Sequence, residues 1–246
     1  MYRVAVLIDG GFFLKRFRTV YPDVDGHDPQ VVVQRISWLI HNHLQSINKD
    51  QCLQSEWALL YRSFFYDARP YLQQAKYPVS SDPLNYARTP EAIFRQALFE
   101  QLRGTPNMAV RLGEVRKDPD RSWTLKAKSQ NELLAGTKNV SDLGDDDFLP
   151  ALRQKGVDMR IGVDIATLSL KNLVNTIVLV TGDSDFVPAA KLARREGVRI
   201  ILDPLWQKVD AALFEHIDRV HSGAPRPRGK SVATGETEPD QKDFTN

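Results

Sequence analysis

Four aspartates stand where carboxylates could act together. Asp9 follows the apolar, β-branched run Tyr2 to Ile8 and precedes Gly10-Gly11, while Asp183 and Asp185 follow the run Thr176 to Thr181 within Gly182-Asp183-Ser184-Asp185. A carboxylate at a strand end is held with little slack by the ladder behind it, and neighbouring glycines let a substrate approach. One aspartate at either place would be an ordinary helix cap, complementing the positive end of the helix that follows. Two carboxylates one residue apart repel, and placing both near Asp9 is costly unless a cation or a proton is shared. The fourth, Asp164, lies in the segment Val157 to Lys171 together with Asp158. On a helix the two flank the apolar stripe, about 120° apart. An ionised group beside a core is expensive when unpaired, and spacing leaves two partners open for Asp164, a metal ion or a basic side chain. For Asp158 the expected role is to cap the helix.

Aspartates converging without a histidine or cysteine cluster make an all-oxygen site, suited to Mg2+ or Mn2+ rather than zinc. The histidines do not compete, since His41 and His43 point to different sides of a helix and His27, His216 and His221 lack ligand spacing. Thr181 and Ser184 can orient carboxylates or water by hydrogen bonding, as second-shell donors do, although ordinary strand-end and cap residues look the same.

These residues need elements to hold them. Tyr2 to Ile8 reads as a buried strand, followed by a helix from about Phe12 to Val20. Pro29 opens a helix through Asn48, with Val32, Ile36, Leu39, Ile40, His43, Leu44 and Ile47 at helical spacing. Trp57 to Phe65 reads as a strand, Tyr66 to Pro90 as a long lid-like loop with four prolines, and Pro90 to Arg103 as a helix. Met108 to Val115 alternates like a strand, and Arg116 to Asp146 is polar, as in a hairpin or inserted loop. A short helix is expected from Asp147 to Lys155, stopped by Gly156, then the helix Val157 to Lys171. The strand Thr176 to Thr181, the helix Phe186 to Glu196, the strand Val198 to Leu202 and a last helix and short strand to Val220 complete the pattern. Strands alternating with helices predict an α/β fold, a mostly parallel sheet in three layers, and ligands in such sheets bind at the carboxyl ends of the strands.

The chain has 246 residues, 42% hydrophobic and 26% charged, which suits one large domain or a domain with sizeable insertions and excludes a disordered or fibrous protein. One domain is expected over 1–221, with irregular insertions near 66–90 and 116–146. Residues 222–246, rich in glycine and proline-flanked arginine, are expected to be a disordered tail. Cys52 is the single cysteine, which rules out an intramolecular disulfide. No apolar run approaches the roughly 18 residues of a membrane span and no signal peptide is visible, so no membrane contact and a cytoplasmic location are expected. With 33 basic and 31 acidic residues the net charge is +2, which neither proposes nor rules out a polyanionic partner.

Three blocks, VAVLIDGGFF, KGVDMRIGVDIATLSL and VLVTGDSDFVPAAKLARREGVRI, resemble in that order the NYN domain of the PIN-like nuclease superfamily, in its bacterial LabA-like branch. The resemblance covers about a third of the chain. It implies a Rossmann-like sheet and a ribonuclease site dependent on Mg2+ or Mn2+. By motif, Asp9 is then the first-strand acid, Asp164 the helix acid, and Asp183 and Asp185 the acids of the turn, with Asp158 as a further candidate ligand. Many relatives carry asparagine three residues after the first aspartate, where this chain has Phe12.

The reaction so implied is hydrolysis of a phosphodiester, without a covalent intermediate. RNA as the partner comes from the resemblance alone. Substrate contacts are expected from the irregular segments, where Arg62, Arg69, Lys76 and Arg88 interleave with Tyr66, Tyr71, Tyr77 and Tyr86, and where Lys126 and Lys128 lie near Trp123. Tyrosines in a proline-rich loop can equally pin it to a core. Two other readings compete. A haloacid-dehalogenase-like phosphatase needs a second acid two residues after the first, where Gly11 stands. A non-catalytic RNA-binding or regulatory module would keep the acidic pocket without cleavage. The sequence is silent on oligomeric state.

Overall fold

The computed structural model describes residues 2–51 and 55–227. Cys52 and residues 228–246 of the expected tail lie outside the described residues. Strand β1 (Val4–Asp9) is central in a seven-stranded sheet, flanked by β2 (Leu60–Arg69) and β9 (Thr176–Val180). Beyond β2 come β5 (Met108–Lys117) and β8 (Leu152–Lys155), and beyond β9 come β10 (Arg199–Asp203) and β11 (Arg219–Val220). Every pairing is parallel except β5 with β8, so the fold is mixed α/β with a mostly parallel sheet.

Helices cover both faces. Alternate residues of β1 divide between two cores: Val4, Val6 and Ile8 pack on α1 (Gly10–Val20), α2 (Pro29–Gln51) and α3 (Pro90–Gly104). Ala5 and Leu7 pack on the other side with α5 (Val157–Leu170) and α6 (Val187–Arg195). A strand buried on both faces must be apolar throughout, which is why β1 reads VAVLI without alternation. Gly156 and Gly197, at φ of 75° and 79°, sit in the left-handed conformation that α5 entry and α6 exit require.

Three expectations are corrected. Strand β2 does not begin at Trp57, because Glu56–Leu59 form a 3-10 turn, and it runs on through Tyr66 to Arg69, where a loop was expected. Asp67 disguises this strand as polar, but it is fully buried and paired with Arg95 of α3. The rest of 66–90 holds an antiparallel pair, β3 (Gln74–Lys76) and β4 (Pro83–Asn85). The short helix expected from Asp147 to Lys155 is instead β7 (Phe148–Pro150) and β8, since the open edge of β5 offers a ladder to the latter. Strand β6 (Trp123–Leu125) pairs with β7, and α4 (Ala127–Leu134) lies between them. No helix among the described residues is long and apolar enough to cross a membrane.

The start of the expected tail is built in. Ser222 Oγ–H donates to Asp203 Oδ1 at 2.9 Å and the Gly223 N–H to Asp203 Oδ2 at 3.0 Å, while Ala224 is buried.

Candidate functional site

The chain leaves β1 toward β2 on one side of the sheet and leaves β9 toward β10 on the other, so the carboxyl ends of β1 and β9 border the point where connections diverge. Such a switch point opens a crevice. Here it is a cleft of about 680 Å³ lined by Asp9, Lys15, Thr181, Asp183, Ser184 and Lys208, among others.

Asp9 caps α1, its Oδ1 accepting the Phe12 N–H at 3.0 Å, and its Oδ2 accepts from Thr181 Oγ1 at 3.3 Å. The same Thr181 oxygen accepts the Asp183 N–H at 3.3 Å, so one buried hydroxyl ties the ends of two strands. Asp183 Oδ1 in turn accepts the Asp185 N–H at 2.9 Å. Burial raises the Asp9 carboxyl above its usual range; the Phe12 and Thr181 hydrogen bonds pull it down, and the charges of Asp158 and Asp183 push it up again. Asp158, at the start of α5, is raised by burial and then by Asp183 and Asp185. The structure therefore brings Asp9 within electrostatic reach of Asp158 and Asp183, and Asp158 within reach of Asp183 and Asp185.

Asp164 has other partners. Tyr66 Oη–H donates to its Oδ2 at 2.8 Å, and Arg111 of β5 reaches the same oxygen at 3.3 Å. Of the two partners that spacing left open, a basic side chain is the one in place. Six residues of helix carry Asp164 about 9 Å along the axis from Asp158. Among the described residues no group of three His, Cys, Asp or Glu side chains stands ready to hold a metal ion. The donor chemistry at Asp9, Asp158, Asp183 and Asp185 still fits a hard divalent cation, because the donors are all oxygen and their mutual repulsion is what a cation relieves.

Glycines make the geometry feasible. A Cβ at Gly10 would lie 2.5 Å from the Phe65 ring and 2.7 Å from the Tyr66 carbonyl oxygen, and one at Gly182 would lie 2.7 Å from the Phe12 ring. Phe12 thus fills space against the second acidic turn, a packing role in place of a polar one.

Residues the sequence reading missed also border the cleft. Lys15 comes from α1, and Gln207 and Lys208 come from the segment after β10. That segment turns through two consecutive non-glycine residues at positive φ, Leu205 at 46° and Trp206 at 64°. It is held there by the Leu205 N–H on Asp203 Oδ1 at 2.8 Å and by Arg16, whose Nη2–H donates to the Leu205 carbonyl at 2.9 Å. Strained backbone persists only where its surroundings over-determine it, and it gathers at working sites. No motif signals these residues, because their approach depends on the β10 to β11 connection. Asp203 itself is fully buried and accepts from His43 Nε2 at 2.8 Å; burial would raise its carboxyl, but His43 and the backbone donors hold it below the usual range.

The expected substrate residues are scattered. Arg62 pairs in register with Ala5, and Tyr66 with Asp9, so Arg62 lies about 13 Å down the strand, toward the far end of the sheet. Arg69 is exposed at the carboxyl end of β2, Lys76 is exposed in β3, and Arg88 is exposed just before α3. Lys126 stands at the start of α4 and Lys128, within it, approaches Glu132 at 3.8 Å. Ser184 lines the cleft.

A solved structure of a protein of unknown function from Vibrio parahaemolyticus is similar at a TM-score of 0.45 and 13% identity, covering 89% of this chain and 91% of that one. No curated protein matches the chain. The family model of the NYN domain matches residues 128–220, a stretch that contains Asp158, Asp164, Asp183 and Asp185 but not Asp9, and that family points to nuclease-type chemistry on nucleic acid. With the switch-point cleft and this match together, the resemblance carried by the sequence blocks is that of the NYN domain, a member of the PIN-like nuclease superfamily.

Proposed function

We propose that this protein is a divalent-metal-dependent ribonuclease, hydrolysing phosphodiester bonds in the cleft between the ends of β1 and β9. The observation that carries the proposal is the pair Asp9 and Asp183, which line that cleft and are tied through the Thr181 hydroxyl, with Asp185 two residues on and Asp158 near enough to feel the charges of Asp183 and Asp185. Asp9, Asp183 and Asp185 would hold Mg2+ or Mn2+, with Asp158 as the helix acid in place of Asp164. When bound, the cation activates water and stabilises charge on the attacked phosphate and the leaving oxygen. Mg2+ keeps several waters of its own, so a site offering few carboxylates at once suits it. The frame we assign is the Rossmann-like, three-layer PIN-like fold over 1–221.

The side chains have distinct tasks. Thr181 fixes the Asp9 carboxylate and the Asp183 backbone together, which sets the distance between the two strand ends. Lys15 and Lys208 border the carboxylates and supply positive charge for substrate phosphates, a term that depends on salt. Asp164 fastens α5 to β2 and β5 through Tyr66 and Arg111, which holds Asp158 at its post. The test is cleavage of single-stranded RNA, folded RNA and DNA in Mn2+, run beside Asp183→Asn and with EDTA. Activity confined to the metal-supplemented wild type is expected. Full activity of Asp183→Asn, or activity undiminished by EDTA, sinks the mechanism, and RNA binding without cleavage would replace it by a non-catalytic binding module.

A further inference from the structure

The two irregular segments fold into one lobe. Trp123 Nε1–H donates to the Lys76 carbonyl at 3.1 Å, and the Val79 and Ser80 N–H groups both donate to Asp145 Oδ1, at 2.9 and 3.2 Å. The Tyr77 and Trp123 rings stack with centroids 6.0 Å apart and planes 22° apart, and Tyr71 meets Tyr86 edge-on at 5.2 Å. Between these rings lies a second cleft of about 310 Å³, bordered by Tyr71, Tyr77, Tyr86, Trp123, Lys76 and Lys117. Joining the hairpins accounts for the Tyr77 and Trp123 contact. It does not account for four aromatic rings left half-exposed around one concavity.

Charge favours an anionic chain there. Lys76 and Lys117 are exposed and enter no ion pair among the described residues, whereas the buried Asp118 below is engaged by Arg153 at 2.7 Å and Arg121 at 3.8 Å. The position is also informative. Asp9 pairs in register with Tyr66 and Tyr66 with Arg111, and Lys117 is six residues further along β5. The cleft therefore lies about 20 Å beyond the aspartates, at the same edge of the sheet.

We infer that this aromatic cleft is a subsite for unpaired bases of a single-stranded RNA whose backbone continues toward the acidic cleft; this rests on the nuclease reading. Aromatic rings stack on any base, and lysines follow phosphates, so the subsite selects unpaired chain over duplex without reading sequence. Bases of a duplex are stacked on each other and cannot enter.

The test measures binding of a fluorescein-labelled single-stranded oligouridylate to the full chain in EDTA, apart from cleavage. The wild type should bind and quench tryptophan fluorescence, Trp123→Phe should remove most of the quench, and Tyr86→Leu should weaken binding by roughly tenfold. Lys117→Glu, at an exposed position that folding tolerates, should weaken it as much and flatten its salt dependence. Unchanged affinity in Lys117→Glu and Tyr86→Leu, or duplex RNA competing as well as single-stranded RNA, overturns the subsite. A wild type that binds in this way yet cleaves nothing in Mn2+ upholds the subsite and removes the nuclease reading instead.

Discussion

Asp9 is both a cap and a buried charge, and the two roles oppose one another. Its carboxylate satisfies the Phe12 N–H, yet burial and two neighbouring aspartates raise it from 3.8. Asparagine keeps the acceptor and removes the charge. Asp9→Asn is therefore expected to raise the melting temperature in EDTA while lowering metal-dependent cleavage by on the order of 100-fold or more. A melt that falls by several degrees would show that the charge itself stabilises the fold. The same reasoning does not extend to Asp164, whose Tyr66 and Arg111 bonds make it a fastening of α5.

At the scale of elements, the join between β2 and α3 depends on one buried pair. Asp67 is fully buried beside Arg95, and burial pushes its carboxyl up to about 6 although Arg95 pulls it down. A raised carboxyl favours the folded state below the folded value and loses that contribution as pH rises through it. Removing Arg95 leaves Asp67 unpaired, at a cost of about 3–5 kcal/mol when ionised. Arg95→Leu should thus destabilise strongly at pH 8 and much less at pH 5, where Asp67 carries its proton; equal loss at both, by urea unfolding, would contradict this. Gly10 is the corresponding constraint between β1 and α1. Its missing Cβ accommodates Phe65 and the Tyr66 carbonyl, and Gly10→Ala should cost about 1–3 kcal/mol in the same measurement.

At the scale of the molecule, the residues after β11 brace the turn that leads into one border of the cleft. Asp203 takes hydrogen bonds from His43, Leu205, Ser222 and Gly223, and so links α2, the strained turn that carries Lys208, and the chain beyond β11. A chain ending at His221 loses the Ser222 and Gly223 donors. Asp203 keeps one donor on each oxygen, but each lost hydrogen bond to a charged group contributes about 1.5–3 kcal/mol, so this chain should melt below one ending at Pro227. Acid should act at the same place. Burial, then His43, lowers His221 from 6.5 to about 4. Between those values the unfolded chain takes up a proton that the folded chain refuses, so stability falls as pH drops from 6.5 toward 4. His221→Gln should flatten the melting temperature over that interval, and a variant that tracks the wild type would place the acid sensitivity elsewhere.

Much of this was legible in the residues. Period and punctuation located β1, α1, α2, α3, β9 and β10, because long apolar runs bounded by glycine and proline have few other solutions. Strand-end aspartates beside glycines mark the cleft in the sequence itself, since a parallel sheet puts its ligands at that edge. Other features required the tertiary structure. Asp67 made β2 look like a loop, and only the Arg95 contact across the core explains it. Residues 152–155 became a strand because the edge of β5 was open, a property of the sheet and not of those residues. Helical spacing places Asp158 and Asp164 on opposite borders of one stripe, with Asp158 expected as a cap and Asp164 put first as the helix acid by resemblance. Which side chains surround each, Asp183 and Asp185 for the first and Tyr66 and Arg111 for the second, only the tertiary structure decides, because such neighbours meet only when the chain has closed on itself.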